Sequence, residues 1–209
     1  MANLNNRHGL SLGAGLIALA LTAAACGAFG GRYHIDPNSM DAYSKRTKIP
    51  LKVAVVLNPE LCDYVYVSKR QGAKRVFEIG EALCTDIKYL STAMFETATV
   101  VAGKAEGLAA HFDAVIIPRV IDTSVLVRPG APPDFEATMI YECTMIDLND
   151  RPVFVRTIKE NKVLETYKRD SWKTVMQTTV DAVYSSLADE MVHSPEIRKY
   201  ADSRKTENR

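Results

Sequence analysis

The stretch Phe135-Glu136-Ala137-Thr138-Met139-Ile140-Tyr141-Glu142-Cys143-Thr144-Met145 decides the fold class. Phe135, Ala137, Met139, Tyr141, Cys143 and Met145 stand at every second position, with Thr138, Glu142 and Thr144 between them. A period of two sends one set of side chains to each face of a pleated strand, so this is a half-buried strand with a single apolar face. Asn149-Asp150 supplies a turn, and Pro152 to Lys159 returns as the hairpin partner.

Working toward the N-terminus, Arg128-Pro129-Gly130-Ala131-Pro132-Pro133-Asp134 interrupts regular structure, because each proline fixes φ and lacks a donor. The loop links two strands or presents a partner-binding tip. Before it, Ala114 to Ile117 opens a strand that runs on toward Val127, and Thr97 to Val101 forms another. Gly103 to Gly107 reads as a turn or loop. Ile79, Leu83, Ile87, Leu90 and Met94 recur at helical spacing and place one apolar face on a helix. Leu51 to Leu57 is β-branched and stops at Asn58-Pro59, which predicts a central strand, and Tyr64 to Val67 predicts a short extended piece. Toward the C-terminus, Trp172, Met176, Val180, Val183, Leu187 and Met191 define a second long helix, with Asp170 or Ser171 as its cap. The order predicts an α+β two-layer sandwich: a mixed or mostly antiparallel sheet of about five strands, with two long helices on one face.

This domain is expected over residues 51–193. Residues 194–209 are polar and expected to fray as a tail. Residues 27–50, with three glycines and two prolines, read as a tether.

Over the 209 residues, 47% are hydrophobic and 24% charged, which is globular usage rather than disorder. Lys and Arg number 26 against 25 Asp and Glu, so the global charge gives no footprint for nucleic acid.

The first residues carry the clearest functional signal. Arg7 precedes a stretch that is uncharged from Gly9 to Ala25, with Leu16-Ile17-Ala18-Leu19-Ala20-Leu21 at its middle and Ala23-Ala24-Ala25 at its end. A positive start, an apolar centre and a small-residue cleavage site describe a secretory signal peptide, residues 1–25. Removing it takes away one basic residue and no acidic one, leaving equal numbers of each.

Leu21-Thr22-Ala23-Ala24-Ala25-Cys26 resembles the lipobox of bacterial lipoproteins. Ala24 and Ala25 fit the small residues wanted before the cysteine, and Ala23 replaces the commoner leucine. The resemblance implies that the Cys26 thiol receives diacylglycerol, that cleavage falls before Cys26, and that the new amino group is fatty-acylated, for example with palmitate. Two other readings stay open: an ordinary cleaved signal peptide, or an uncleaved anchor, for which the stretch is short of the roughly 20 apolar residues of a span. In Gram-negative lipoproteins an Asp after the cysteine retains the protein at the inner membrane. Gly27 stands there instead, so the resemblance implies the outer membrane, periplasmic face. The expected layout is also similar to small periplasmic envelope-assembly lipoproteins, among them the lipopolysaccharide-transport lipoprotein and the curli-secretion and TolB N-terminal type domains.

No residue pattern announces catalysis. His8, His34, His111 and His193 lack metal-ligand spacing, and no nucleophile elbow or phosphate-binding glycine loop is present outside the leader. The expectation is a protein that is not an enzyme, with no catalytic residue, metal or cofactor. An unrecognised hydrolase would need a cleft with coupled titrating groups.

Ser68-Lys69-Arg70-Gln71-Gly72-Ala73-Lys74-Arg75 holds four cations and no acid. Lys69, Arg70, Lys74 and Arg75 are candidates for an anionic ligand, such as phosphate groups of lipid or lipopolysaccharide, or an acidic partner. The competing reading is a solvated loop. Tyr64, Tyr66 and Tyr89 are core or interface residues. Cys62 and Cys84 either bridge in an oxidising periplasm or remain buried free thiols, and Cys143 is a small core residue.

The functional reading is an outer-membrane-anchored periplasmic lipoprotein that assists assembly, transport or stability of a cell-envelope complex. Its expected partners are the membrane, through the lipid, and other envelope proteins. The alternative is a periplasmic lipid- or glycan-binding module that uses the sheet face and the basic loop.

Overall fold

In the computed structural model, the structure describes residues 30–38, 48–69, 73–109, 111–130, 133–165 and 170–207. The main sheet has strand order β5-β2-β6-β7-β8, formed by β2 (Ile49–Val56), β5 (Phe95–Val101), β6 (Ala114–Arg128), β7 (Asp134–Asp147) and β8 (Pro152–Leu164). β2 is central and parallel to both β5 and β6, while β6, β7 and β8 form an antiparallel meander. The expected mixed five-stranded sheet is present.

A second sheet of three strands, unforeseen in the sequence, has the order β1-β4-β3. Its strands are β1 (Arg32–His34), β3 (Val65–Ser68) and β4 (Arg75–Glu78). Among the described residues the helices are α1 (Pro59–Cys62), α2 (Gly80–Met94), α3 (Lys104–Ala109), α4 (Ser171–His193) and α5 (Pro195–Glu207).

The alternation of β7 does what its period demands. Phe135, Ala137, Met139, Tyr141, Cys143 and Met145 are all buried in the main core, opposite α2 and α4. The apolar faces of both long helices are buried there too, with Trp172 partly so. Asp170 occupies the N-cap of α4 but its side chain makes no capping bond, and Ser171 is buried. β2 feeds both faces of the sheet. Leu51, Val53 and Val55 enter the main core, while Ala54 and Val56 join a smaller cluster with Val101, Val115 and Ile146, against which Leu108 and Phe112 pack.

Three expectations need correction. The 194–209 tail is α5 through Glu207, not frayed chain: Ile197 and Ala201 are buried on the main core, and Tyr200 donates a 2.5 Å hydrogen bond to the Asp113 carbonyl. The 27–50 tether is partly folded, since Arg32–His34 is a strand, Ile35 is fully buried, and Ile49 already belongs to β2. The loop expected at Gly103 to Gly107 contains most of α3, whose Glu106 carboxylate accepts from the Ala102 N–H at 2.9 Å. Strand β6 continues as expected, but a register shift between Val120 and Asp122 inserts Ile121. The inserted residue reverses the parity of the strand. Ala114 and Ile116 point into the core before it, and Thr123 and Val125 are buried after it.

Cys62 at the end of α1 and Cys84 in α2 are joined by a disulfide with Cα atoms 5.3 Å apart. Cys143 is free and buried. The bridge draws α1 close to the start of α2. A Cβ on Gly80 would run into the Cys62 carbonyl oxygen and the Tyr64 nitrogen, so only glycine fits there.

Candidate functional site

The first described residues lie beside the β3–β4 hairpin. Strand β1 runs parallel to β4, pairing Arg32 with Val76 and His34 with Glu78. Just before it, the Val76 N–H donates to the Gly31 carbonyl at 2.8 Å, and a Cβ on Gly30 would collide with the Lys74 carbonyl oxygen. Strands β3 and β4 are antiparallel and the pair Ser68–Arg75 closes their hairpin. The first described residues therefore lie against the hairpin's basic end.

The four sequence-predicted cations divide. Lys69 and Lys74 are exposed at that end. Arg70 and Cys26 lie outside the described residues. Arg75 is a half-buried strand residue whose guanidinium sits 4.2 Å over the Trp172 ring. Trp172 in turn meets Phe135 edge-on, with centroids 4.9 Å apart and planes at 89°. Arg75 is thus packed into the structure rather than presented by a loop. Tyr64 and Tyr66 pack on the core, whereas Tyr89 is exposed.

The segment after β1 is clamped by both long helices. Gln177 accepts from the Asp36 N–H at 2.9 Å through Oε1 and donates to the Asp36 carbonyl at 2.8 Å through Nε2. Lys173 Nζ donates to Asp36 Oδ2 at 2.7 Å, and this bond holds the Asp36 carboxyl below its usual range. The Asn38 N–H donates to Asp86 Oδ1 at 2.9 Å. Asp86 is fully buried, and its Oδ2 has no hydrogen-bond partner among the described residues. Burial pushes the Asp86 carboxyl up to about 7, against the Asn38 bond and with the help of the nearby Asp181 charge. Asp181 is raised as well, first by burial, while Gln177 Nε2 donates to it at 3.1 Å. Sequence reasoning missed this cluster, because Asp86 falls between two apolar helix positions and nothing local marks it as buried.

A groove of about 570 Å³ lies between β8 and the C-terminal half of α4 and includes Arg156, Glu160, Ser186, Glu190 and His193. Arg156, Glu160 and Glu190 in it are already partnered. Arg156 bonds Glu190 and Glu196, each at 3.1 Å, and Ser186 donates to Glu160 at 2.6 Å. His193 Nδ1 lies 2.8 Å from the Asp189 carbonyl, and His34 lies 3.9 Å from Glu78 and 3.6 Å from Glu81. Among the described residues, no group of three or more His, Cys, Asp or Glu side chains is placed to hold a metal ion. Burial pushes the Cys143 thiol up to about 12, which removes it as a nucleophile near neutral pH. Among the described residues, no helix is long and apolar enough to cross a membrane.

The sequence matches no family model and no curated protein. The fold is similar to that of protein XCC0632 from Xanthomonas campestris, a protein of family DUF330, at TM-score 0.54 and 11% identity, over 83% of this chain and 98% of that one. A minor lipoprotein from Acinetobacter baumannii aligns at TM-score 0.41 and 10% identity, over 67% of this chain and 91% of that one.

Proposed function

We propose that this protein is a non-enzymatic cell-envelope lipoprotein. Cys26 carries the lipid that holds the α+β domain at the periplasmic face of the outer membrane, where it assists assembly, transport or stability of an envelope complex. The observation that carries the reading is the sequence Leu21-Thr22-Ala23-Ala24-Ala25-Cys26 at the end of an uncharged, apolar N-terminal stretch. The Cys62–Cys84 bridge supports it, because disulfides persist in oxidising compartments such as the periplasm. Several acyl chains anchor stably where one binds only marginally, since each buried methylene adds about 0.8 kcal/mol.

The test is Cys26→Ala, followed by membrane fractionation and intact mass. The native chain should begin at Cys26, carry the lipid mass and sediment with membranes. The variant should lose the lipid label and appear in the soluble fraction. Unchanged mass and fractionation would overturn the reading.

A further inference from the structure

We infer that β8 is the interface of a homodimer. It pairs antiparallel with β8 of a second copy about a two-fold axis at Ile158, which joins the two five-stranded sheets edge to edge. The inference goes beyond the anchoring reading and does not rest on it.

The strand order leaves β8 on the outside of the main sheet, and among the described residues no strand pairs with its outer side. A free edge is a row of unpaired backbone donors and acceptors, which proteins keep short, charged or covered unless it is used. β8 has 13 residues, against 7 in β5 at the other edge. Its register with β7 fixes its faces. Arg156 stands opposite Cys143 and Ile158 opposite Tyr141, so Phe154, Arg156, Ile158 and Glu160 face the helices. Val155, Thr157, Lys159 and Val163 face the open side, where Val155 is 44% and Val163 48% exposed.

The strand is complementary to itself in one register. With the axis on Ile158, its middle residue, Pro152 to Leu164 pairs along its whole length. Arg156 then meets Glu160 of the copy, Val153 meets Val163, Thr157 meets Lys159, and no residue faces a like charge. An axis on Lys159 sets that lysine against itself and Arg156 against Lys162. An axis on Glu160 sets two carboxylates face to face, and one on Thr157 loses every pair of opposite charges. Arg156 has donors for the added carboxylate, because Glu190, Glu196 and the Val155 carbonyl take three of its five N–H groups. The helix layer fits the same arrangement. α4 lies over the seam of the last two strands: Thr179 and Tyr184 bond Ala137 and Tyr141 in β7, while Ser186 and Glu190 bond Glu160 and Arg156 in β8. Neighbouring strands are about 4.8 Å apart, so the two α4 helices run about 10 Å apart across the joined edge, an ordinary packing distance for helices. The groove between β8 and α4 is the space that the copy's helix closes from the other side.

The test reads both the register and the mass. Thr157→Cys and Lys159→Cys are made separately in the full chain, at exposed positions, with different epitope tags. Residues directly opposite have Cα atoms about 4.5–5.5 Å apart, within disulfide reach, and diagonal ones about 7–8 Å, beyond it. Oxidised membranes from cells producing both variants should show a disulfide between the two tags, and each variant alone should show little. The unsubstituted chain controls for the native cysteines. A link formed by either variant with itself puts the axis elsewhere and overturns the pairing. A link to a different protein, or none, overturns the dimer. Sedimentation equilibrium of the full chain in density-matched detergent should give the mass of two chains. Thr157→Lys, which sets two lysine pairs face to face, should weaken association several-fold, with an unchanged circular dichroism spectrum certifying the fold. The mass of one chain at every concentration, or an association indifferent to Thr157→Lys, overturns the proposal.

Discussion

Replacing Asp86 by Asn should remove a pH dependence of stability that the buried carboxyl imposes. The ordinary aspartate value is 3.8 and burial raises Asp86 to about 7 in the folded chain. Between those values the folded protein binds a proton that the unfolded chain has released, so stability falls as pH rises. The contribution is fully present below about pH 4 and is lost as pH climbs through about 7. Each pH decade is worth about 1.4 kcal/mol, so the whole effect is about 4 kcal/mol, of which roughly 2–3 kcal/mol falls between pH 5 and pH 8. The groups that face the carboxyl are the Asn38 N–H, Asp181, and the buried hydroxyls of Tyr141 and Tyr184. Asp36, Asp147, Glu160 and Glu196 are held below their usual range and give the opposite slope, but at acid pH, and they are common to both proteins. Asn keeps an oxygen for the Asn38 N–H but places an amide where Oδ2 had no partner, a pH-independent cost of about 1–3 kcal/mol. The signature is therefore the slope and not the offset. Urea unfolding followed by Trp172 fluorescence at pH 5 and pH 8 should show Asp86→Asn gaining about 2–3 kcal/mol on the native protein over that interval. A difference that stays flat with pH would refute the argument.

Other perturbations have equally definite outcomes. The Cys62–Cys84 bridge closes a separation of 22 residues, so Cys62→Ser/Cys84→Ser should lower unfolding free energy by about 3 kcal/mol, read in the same urea melts. Gly80→Ala should cost about 1–3 kcal/mol by overpacking against Cys62 and Tyr64, and less in the bridge-free background, where α1 can move away. Tyr184→Phe removes a buried hydroxyl that donates to the Leu83 carbonyl at 2.7 Å and shares a 3.0 Å bond with the Tyr141 hydroxyl. It should cost about 1–3 kcal/mol, with Tyr184→Phe/Tyr141→Phe recovering part of the loss in a double-mutant cycle.

Where burial follows a single period, the sequence announces the element. Strand β7 and helices α2 and α4 were legible because their apolar positions recur without interruption and all face one core. Strand β6 shows the limit. Its apolar positions follow one parity up to Val120 and the other after Ile121, and a bulge leaves no local mark that separates it from noise. Helix α5 is mostly charged, and its grip on the core comes from Ile197 and Ala201, with Tyr200 beside them. Three positions over 13 residues are too sparse for a period to stand out from a polar tail.

The candidate site was legible as pieces and not as a place. Cys26 and the run from Lys69 to Arg75 are visible because a cleavage motif and a charge cluster are local properties of the chain. What lies beside the basic run in space is not local. It rests on the parallel pairing of Arg32 with Val76, which joins residues more than forty positions apart through a strand of three residues. A strand that short carries no period, and parallel pairing needs no turn that a sequence would advertise. The same pairing turns most of Gly30 to Asn38 from a spacer into a strap, because Ile35 is buried and the Asp36 and Asn38 backbones are bonded to α4 and α2. The distinction is physical: a spacer transmits only a length, whereas a strap of fixed path also holds the first described residues at one place on the domain.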